Sequence, residues 1–152
     1  MEFLNAEYTE FVKLLNKHKV DYFLLGGYAV NFYGYRRATQ DVDFMVRASN
    51  DNGQKLLEAI EEFGYDTAAY LPEDFGEQAH FRLGEAPNSI DIINATVGID
   101  FEEAFQRSKV VVVEGLSLRI IHINDLINNK KALNTYKDLA DAEALNKIIA
   151  KR

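Results

Sequence analysis

The chain contains no cysteine. Disulfides and thiolate metal sites are thereby excluded, and nothing marks an oxidising compartment. Proline is scarce, with two in 152 residues. With no low-complexity tract and no internal repeat either, the chain reads as one domain (1–152) without a linker. No apolar run is long enough to span a membrane. The opening Met1-Glu2-Phe3-Leu4-Asn5-Ala6-Glu7 lacks the basic start and apolar core of a signal peptide. A cytoplasmic location is therefore the default expectation. Positive charge is also in the minority: 17 basic residues stand against 24 acidic ones, a net charge of −7. Such a surface repels a phosphate backbone, which argues against general DNA or RNA binding. A small basic pocket for one nucleotide remains compatible with it.

What is present is an ordinary globular composition, 47% hydrophobic, so most of the chain is expected to fold. Phe3, Phe11, Leu14 and Leu15 recur at roughly helical spacing and predict a helix over residues 3–19. Val20-Asp21-Tyr22-Phe23-Leu24-Leu25 reads as a buried strand ended by Gly26-Gly27. Residues 28–34 fit a short helix, 41–47 a second strand and 51–63 a helix closed by Gly64. Residues 66–77 look like an irregular insert. His80-Phe81-Arg82-Leu83 alternates as a half-exposed strand does, and Ser89 to Asn94 make another. A short helix is expected at 101–107. Two strands then flank Glu114-Gly115 as a hairpin, over 109–113 and 116–122. The chain finishes with helices near 124–134, capped by Asn124, and 136–150. This order predicts a mixed sheet with flanking helices, α/β or α+β.

Asp41 and Asp43 are two apart in a strand, so both carboxylates point to one face, with Val42 and Phe44 on the other. Like charges this close call for a cation, a hydrogen-bond network or a raised pKa. A hard divalent cation with oxygen ligands resolves the repulsion. Taken alone, Asp-x-Asp also fits an exposed strand end with two solvated acids. Asp91 lies between Ile90 and Ile92 and must face away from them. If its strand pairs beside that of Asp41 and Asp43, three carboxylates converge; alone, Asp91 also fits a polar residue on an open sheet face. Gly26-Gly27, between a strand and a helix, lets a phosphate approach backbone N–H groups. The same pair also marks ordinary tight turns.

The segment Leu25-Gly26-Gly27, the thirteen residues 28–40, then Asp41-Val42-Asp43 resembles the signature of the nucleotidyltransferase superfamily. Arg37-Ala38-Thr39-Gln40-Asp41-Val42-Asp43 looks like its small bacterial branch, which includes toxin–antitoxin and lincosamide nucleotidyltransferases. Asp125 to Lys130 and Lys137 to Asp141 are similar to that branch's C-terminal helices, so the resemblance spans most of residues 20–145. It implies an α+β nucleotidyltransferase (polymerase-beta-like) fold. It also implies roles: Gly26, Gly27, Arg37 and Lys130 toward the triphosphate, Asp41 and Asp43 toward Mg²⁺, and Asp91 as general base or third metal ligand. Many members carry Ser after the first Gly; here Gly27 and Tyr28 follow, so the contact must come from backbone N–H.

The implied activity is Mg²⁺-dependent transfer of a nucleoside monophosphate from a nucleoside triphosphate, such as ATP, to an acceptor hydroxyl. A protein or a small molecule is the expected acceptor, and RNA is disfavoured. A small partner protein or a homodimer would complete the cleft of so short a chain. The alternative is a non-catalytic antitoxin or regulatory module that masks a partner. For the remaining candidates the reading is structural. Arg36 is taken as solvated, Lys130 and Lys131 also suit the end of a helix dipole, and Asp138 and Asp141 suit intrahelical ion pairs with Lys137. His18, His80 and His122 show no metal-ligand spacing. Tyr28, Tyr33 or Tyr35 could stack on a base.

Overall fold

The computed structural model describes residues 2–152. Its element order is α1 (Ala6–Lys17), β1 (Tyr22–Leu25), α2 (Gly26–Tyr33), β2 (Asp41–Val46), α3 (Asn50–Glu62), β3 (His80–Leu83), β4 (Ser89–Ile93), α4 (Phe101–Arg107), β5 (Lys109–Val113), β6 (Leu116–Ile120), α5 (Ile123–Leu133) and α6 (Tyr136–Ala150). Six strands form one mixed sheet in the order β3-β4-β2-β1-β6-β5. The predicted α+β architecture holds. β2 runs parallel to β4 and antiparallel to β1, and β1 runs parallel to β6. No helix among the described residues is long and apolar enough to cross a membrane.

The element ends follow local chemistry. α1 starts at Ala6 rather than near residue 3, because Asn5 caps it: its side chain accepts from the Tyr8 N–H at 2.8 Å. The expected Asn124 cap of α5 is corrected to His122, whose Nδ1 accepts from the Asn124 N–H at 3.0 Å. A neutral imidazole nitrogen supplies the acceptor that serine or asparagine usually provides. Gly64, at φ +112°, follows the last residues of α3 as predicted. The insert over 66–77 contains one 3₁₀ turn, Pro72–Phe75, whose buried Phe75 stacks on Phe81 at 4.6 Å.

β1 is buried along its whole length, as a central strand covered on both faces must be. Its Phe23 stacks on Phe101 at 5.2 Å. Phe44 of β2 packs against Phe11 of α1 at 5.7 Å. Val42, Phe44, Ile90 and Ile92 all fall in the core. This burial determines which way the intervening acids point.

Candidate active site

Residues of β2 alternate between half-buried Asp41 and Asp43 and buried Val42 and Phe44. The parallel ladder with β4 sets Asp43 directly opposite Asp91 and Asp41 opposite Ser89. Residues two apart share a face, so all four side chains belong to one side of the sheet. Asp41, Asp43 and Asp91 each present one oxygen, and the three oxygens lie within 4.8 Å of one another. The convergence anticipated from the sequence is therefore met. Beside them the buried Ser89 hydroxyl has no hydrogen-bond partner among the described residues.

The carboxylates are not electrically equivalent. Burial, then the charges of Asp41 and Asp91, push Asp43 from 3.8 up to about 7. Asp41 is also raised, by burial and by its contact with Asp91. Burial works to raise Asp91 as well, but hydrogen bonds from Arg82, His80 and Asp41 outweigh it and hold Asp91 low. Arg82 donates to Asp91 through Nε at 2.8 Å and Nη2 at 3.1 Å, and lies 3.6 Å from Asp41. His80 Nε2 approaches the Asp91 Oδ1 at 3.1 Å. An all-oxygen donor set, with one acid whose ionisation is opposed by burial and by its neighbours' charge, suits a hard divalent cation such as Mg²⁺.

Gly26 and Gly27 do not merely end β1: they form the start of α2. The Leu25 cap position offers no side-chain hydrogen bond, so the first N–H groups of that helix are free of a cap. Gly26 has φ +72°, and a Cβ there would collide with the Asp43 carboxylate and lie 3.0 Å from the Asp43 Cβ. A Cβ at Gly27 would lie 2.6 Å from Thr39 Oγ1. Gly26 is therefore required for the backbone to pass this close to Asp43, and Gly27 for it to pass this close to Thr39. Gly26→Ala is expected to cost about 1–3 kcal/mol from the left-handed conformation alone. A thermal melt checks the loss. A melting temperature unchanged from wild type would contradict the collision.

Arg37 and Lys130 meet at Asp141. Arg37 donates Nε at 2.8 Å and Nη2 at 2.7 Å to it, and Lys130 Nζ lies 3.1 Å from both Asp141 and Asp138. The intrahelical pairs expected for Asp138 and Asp141 are thus corrected. Their partners come from α5 and from the connection before β2, because packing turns that face of α6 inward and buries Asp141. Arg36 is exposed, as read. Tyr33 is tied by its hydroxyl to the Ile121 carbonyl at 2.6 Å, and Tyr28 packs edge-on against Tyr8 and Phe3. His18 pairs with Glu62 at 2.9 Å. His80, read as structural, instead sits on the acid cluster.

Arg82 was not singled out from the sequence. Its one signal was the alternation His80-Phe81-Arg82-Leu83, which puts His80 and Arg82 on a common face. Only the antiparallel register of β3 with β4 sets Arg82 opposite Asp91.

A mixed sheet carrying three carboxylates on adjacent parallel strands, with a diglycine helix start alongside, defines a nucleotidyltransferase fold. Residues 5–152 match the family described as nucleotidyl transferase of unknown function (DUF2204), and the chain belongs to that family. No curated protein matches it in sequence. Among solved structures, it is similar to the lincosamide antibiotic adenylyltransferase LnuA in its lincomycin-bound form. The two are 17% identical, with TM-score 0.62, over 95% of this chain and 98% of that one. It is also similar to the antibiotic-resistance factor ANT(2″)-Ia, with 12% identity, TM-score 0.59, and coverage of 95% and 83%. A third likeness is to an antigenic nucleotidyltransferase-like protein from Paracoccidioides brasiliensis, with 14% identity, TM-score 0.55, and coverage of 97% and 78%.

Proposed function

We propose that this chain transfers a nucleoside monophosphate from a nucleoside triphosphate to an acceptor hydroxyl, with Asp41, Asp43 and Asp91 holding Mg²⁺. The observation that carries this reading is the meeting of three carboxylates from β2 and β4 within 4.8 Å. When bound, the cation supplies Lewis-acid charge to the phosphate oxygens. The free N–H groups at Gly26 and Gly27 receive the triphosphate, and Arg37 and Lys130 add positive charge nearby. The acceptor oxygen attacks the α-phosphorus in line. Its bond to phosphorus forms as the bond from that phosphorus to the β-bridging oxygen breaks, and pyrophosphate leaves. The hydroxyl proton passes to Asp91, or to solvent water where Asp91 serves as the third ligand. Such chemistry rests mainly on positioning and electrostatics. The net charge of −7 favours a small molecule or a protein over RNA as acceptor. A hydroxylated small molecule is the first class to try, since the chain resembles an antibiotic adenylyltransferase, with ATP as donor. A cytoplasmic location, where ATP is plentiful, fits this reading.

The raised carboxylates predict a pH dependence of stability. Asp43 titrates near 3.8 when unfolded and at about 7 when folded. The folded state therefore binds more protons across that window, and its stability falls as pH rises through it. Asp91 and Asp141 have lowered values, so their contributions are lost only below the ordinary carboxylate range. Between pH 5 and 8, the metal-free protein is expected to melt at progressively lower temperature. Mg²⁺ should recover the loss at pH 8 and have little effect at pH 5, where protons compete with it. Melts at both pH values, with Mg²⁺ or with EDTA, check this; equal Mg²⁺ effects at the two pH values would count against it.

The function itself is tested by incubating the protein with α-labelled ATP, Mg²⁺ and panels of hydroxylated small molecules and proteins. Label should move to an acceptor as pyrophosphate appears. Transfer that persists in the Asp41→Asn, Asp43→Asn double variant would reject the assignment.

A further inference from the structure

Arg82 stands out among the groups around the acids. Its side chain is 52% exposed, while that of Asp91 is 6% exposed. It belongs to β3, the edge strand of the sheet. Its guanidinium engages both oxygens of Asp91 at 2.8 and 3.1 Å and lies 3.6 Å from Asp41. A divalent ion held by Asp41, Asp43 and Asp91 would need oxygens that Arg82 now covers. Two cations of this kind compete for the same lone pairs. The half-buried Arg37, by contrast, is fastened to Asp141. Among the described residues Arg82 has no second acidic anchor beyond the cluster itself, and its exposure lets it swing without unpacking the core.

We infer that Arg82 is a displaceable counter-cation: it caps Asp91 in the metal-free protein, yields that carboxylate to an incoming divalent ion, and turns to the triphosphate at the rim of the site. This rests on the proposed cation site. Arginine suits both stations, since its planar fork pairs bidentately with carboxylate and with phosphate alike. The exchange conserves charge pairing. The cation takes the acids, and the released guanidinium takes an anion that arrives with it. By linkage, cation and nucleotide then strengthen each other's binding, each by the same factor. His80, on the same face and 3.1 Å from Asp91, steadies the carboxylate while Arg82 moves.

The test measures Mn²⁺ affinity by loss of the free-ion EPR signal, without and with a nonhydrolysable ATP analogue. The proteins are wild type, Arg82→Gln, Arg82→Lys and Lys137→Gln. Lys137 is the control: its charge reaches Asp41, but it makes no ion pair among the described residues. Without nucleotide, Arg82→Gln should bind Mn²⁺ about tenfold tighter than wild type. Arg82→Lys, which keeps the charge but loses the fork, should fall between them. Lys137→Gln should change affinity by about twofold at most, as a non-contacting surface charge does. The analogue should tighten Mn²⁺ binding in wild type and do so far less in Arg82→Gln. Equal or weaker Mn²⁺ binding by Arg82→Gln, or an equal gain in Lys137→Gln, would overturn the role of Arg82 while leaving the cation site standing. Failure of both wild type and Arg82→Gln to take up Mn²⁺ would remove the site itself, and the proposed function with it.

Discussion

Replacing Asp41 and Asp43 together by asparagine is expected to cut nucleotidyl transfer by roughly a thousandfold or more, without unfolding the protein. The magnitude follows from losing several kcal/mol of cation-mediated charge stabilisation at about 1.4 kcal/mol per factor of ten. The stability effect should run the other way. Asp43 is a half-buried acid pushed up to about 7 by burial and by the neighbouring charges of Asp41 and Asp91. Its asparagine replacement removes that repulsion while keeping the shape, so the metal-free variant should melt higher than wild type at pH 8. An inactive protein with a raised melting temperature separates a functional acid from a structural one. A single assay pair, pyrophosphate release and a metal-free melt at pH 8, reads both. Lower stability in the double variant would show that these acids support the fold, and the site would need another explanation.

The second large effect is expected at Asp141, far from Asp91 in sequence and tied to Arg37 and Lys130. Asp141 is 1% exposed and receives two hydrogen bonds from Arg37 and a contact from Lys130. Asp141→Ala leaves a mostly buried guanidinium without its acid and Lys130 with Asp138 alone. Breaking one partner out of a buried pair costs about 3–5 kcal/mol, because the remaining charge stays desolvated. The lower end applies here, since Lys130 retains one acid and Arg37 is partly open to water. A loss near 3 kcal/mol should lower the melting temperature by on the order of 10 °C in a chain of this length. The companion Arg37→Met, Asp141→Leu variant should recover much of that loss, since it removes both charges together. Should the single variant melt within a degree or two of wild type, the network contributes no stability. In that case Arg37 and Lys130 would be held for the ligand alone.

Local pattern reveals part of this site and hides the rest. The strand period placed Asp41 and Asp43 on one face with Val42 and Phe44 behind them, and the burial of those residues agrees. The diglycine segment was legible as the join between a strand and a helix, although its tight fit against Asp43 and Thr39 was not. Strand and helix identities were read correctly along nearly the whole chain, because apolar spacing is a property of neighbouring residues. Caps were less secure: His122 took a position assigned to Asn124, since an imidazole nitrogen accepts as well as an amide oxygen does.

Alternation and apolar spacing are enough to determine, from the sequence alone, the run of elements, the outward face of β2 and the chemistry available on it. These depend on residues a few positions apart, where backbone geometry leaves few choices. Only the tertiary structure decided that Asp43 faces Asp91, that Arg82 and His80 close over Asp91, and that Arg37 and Lys130 share Asp141. Those meetings depend on strand register and on how α6 packs, and each joins side chains whose separation in sequence carries no periodic signal.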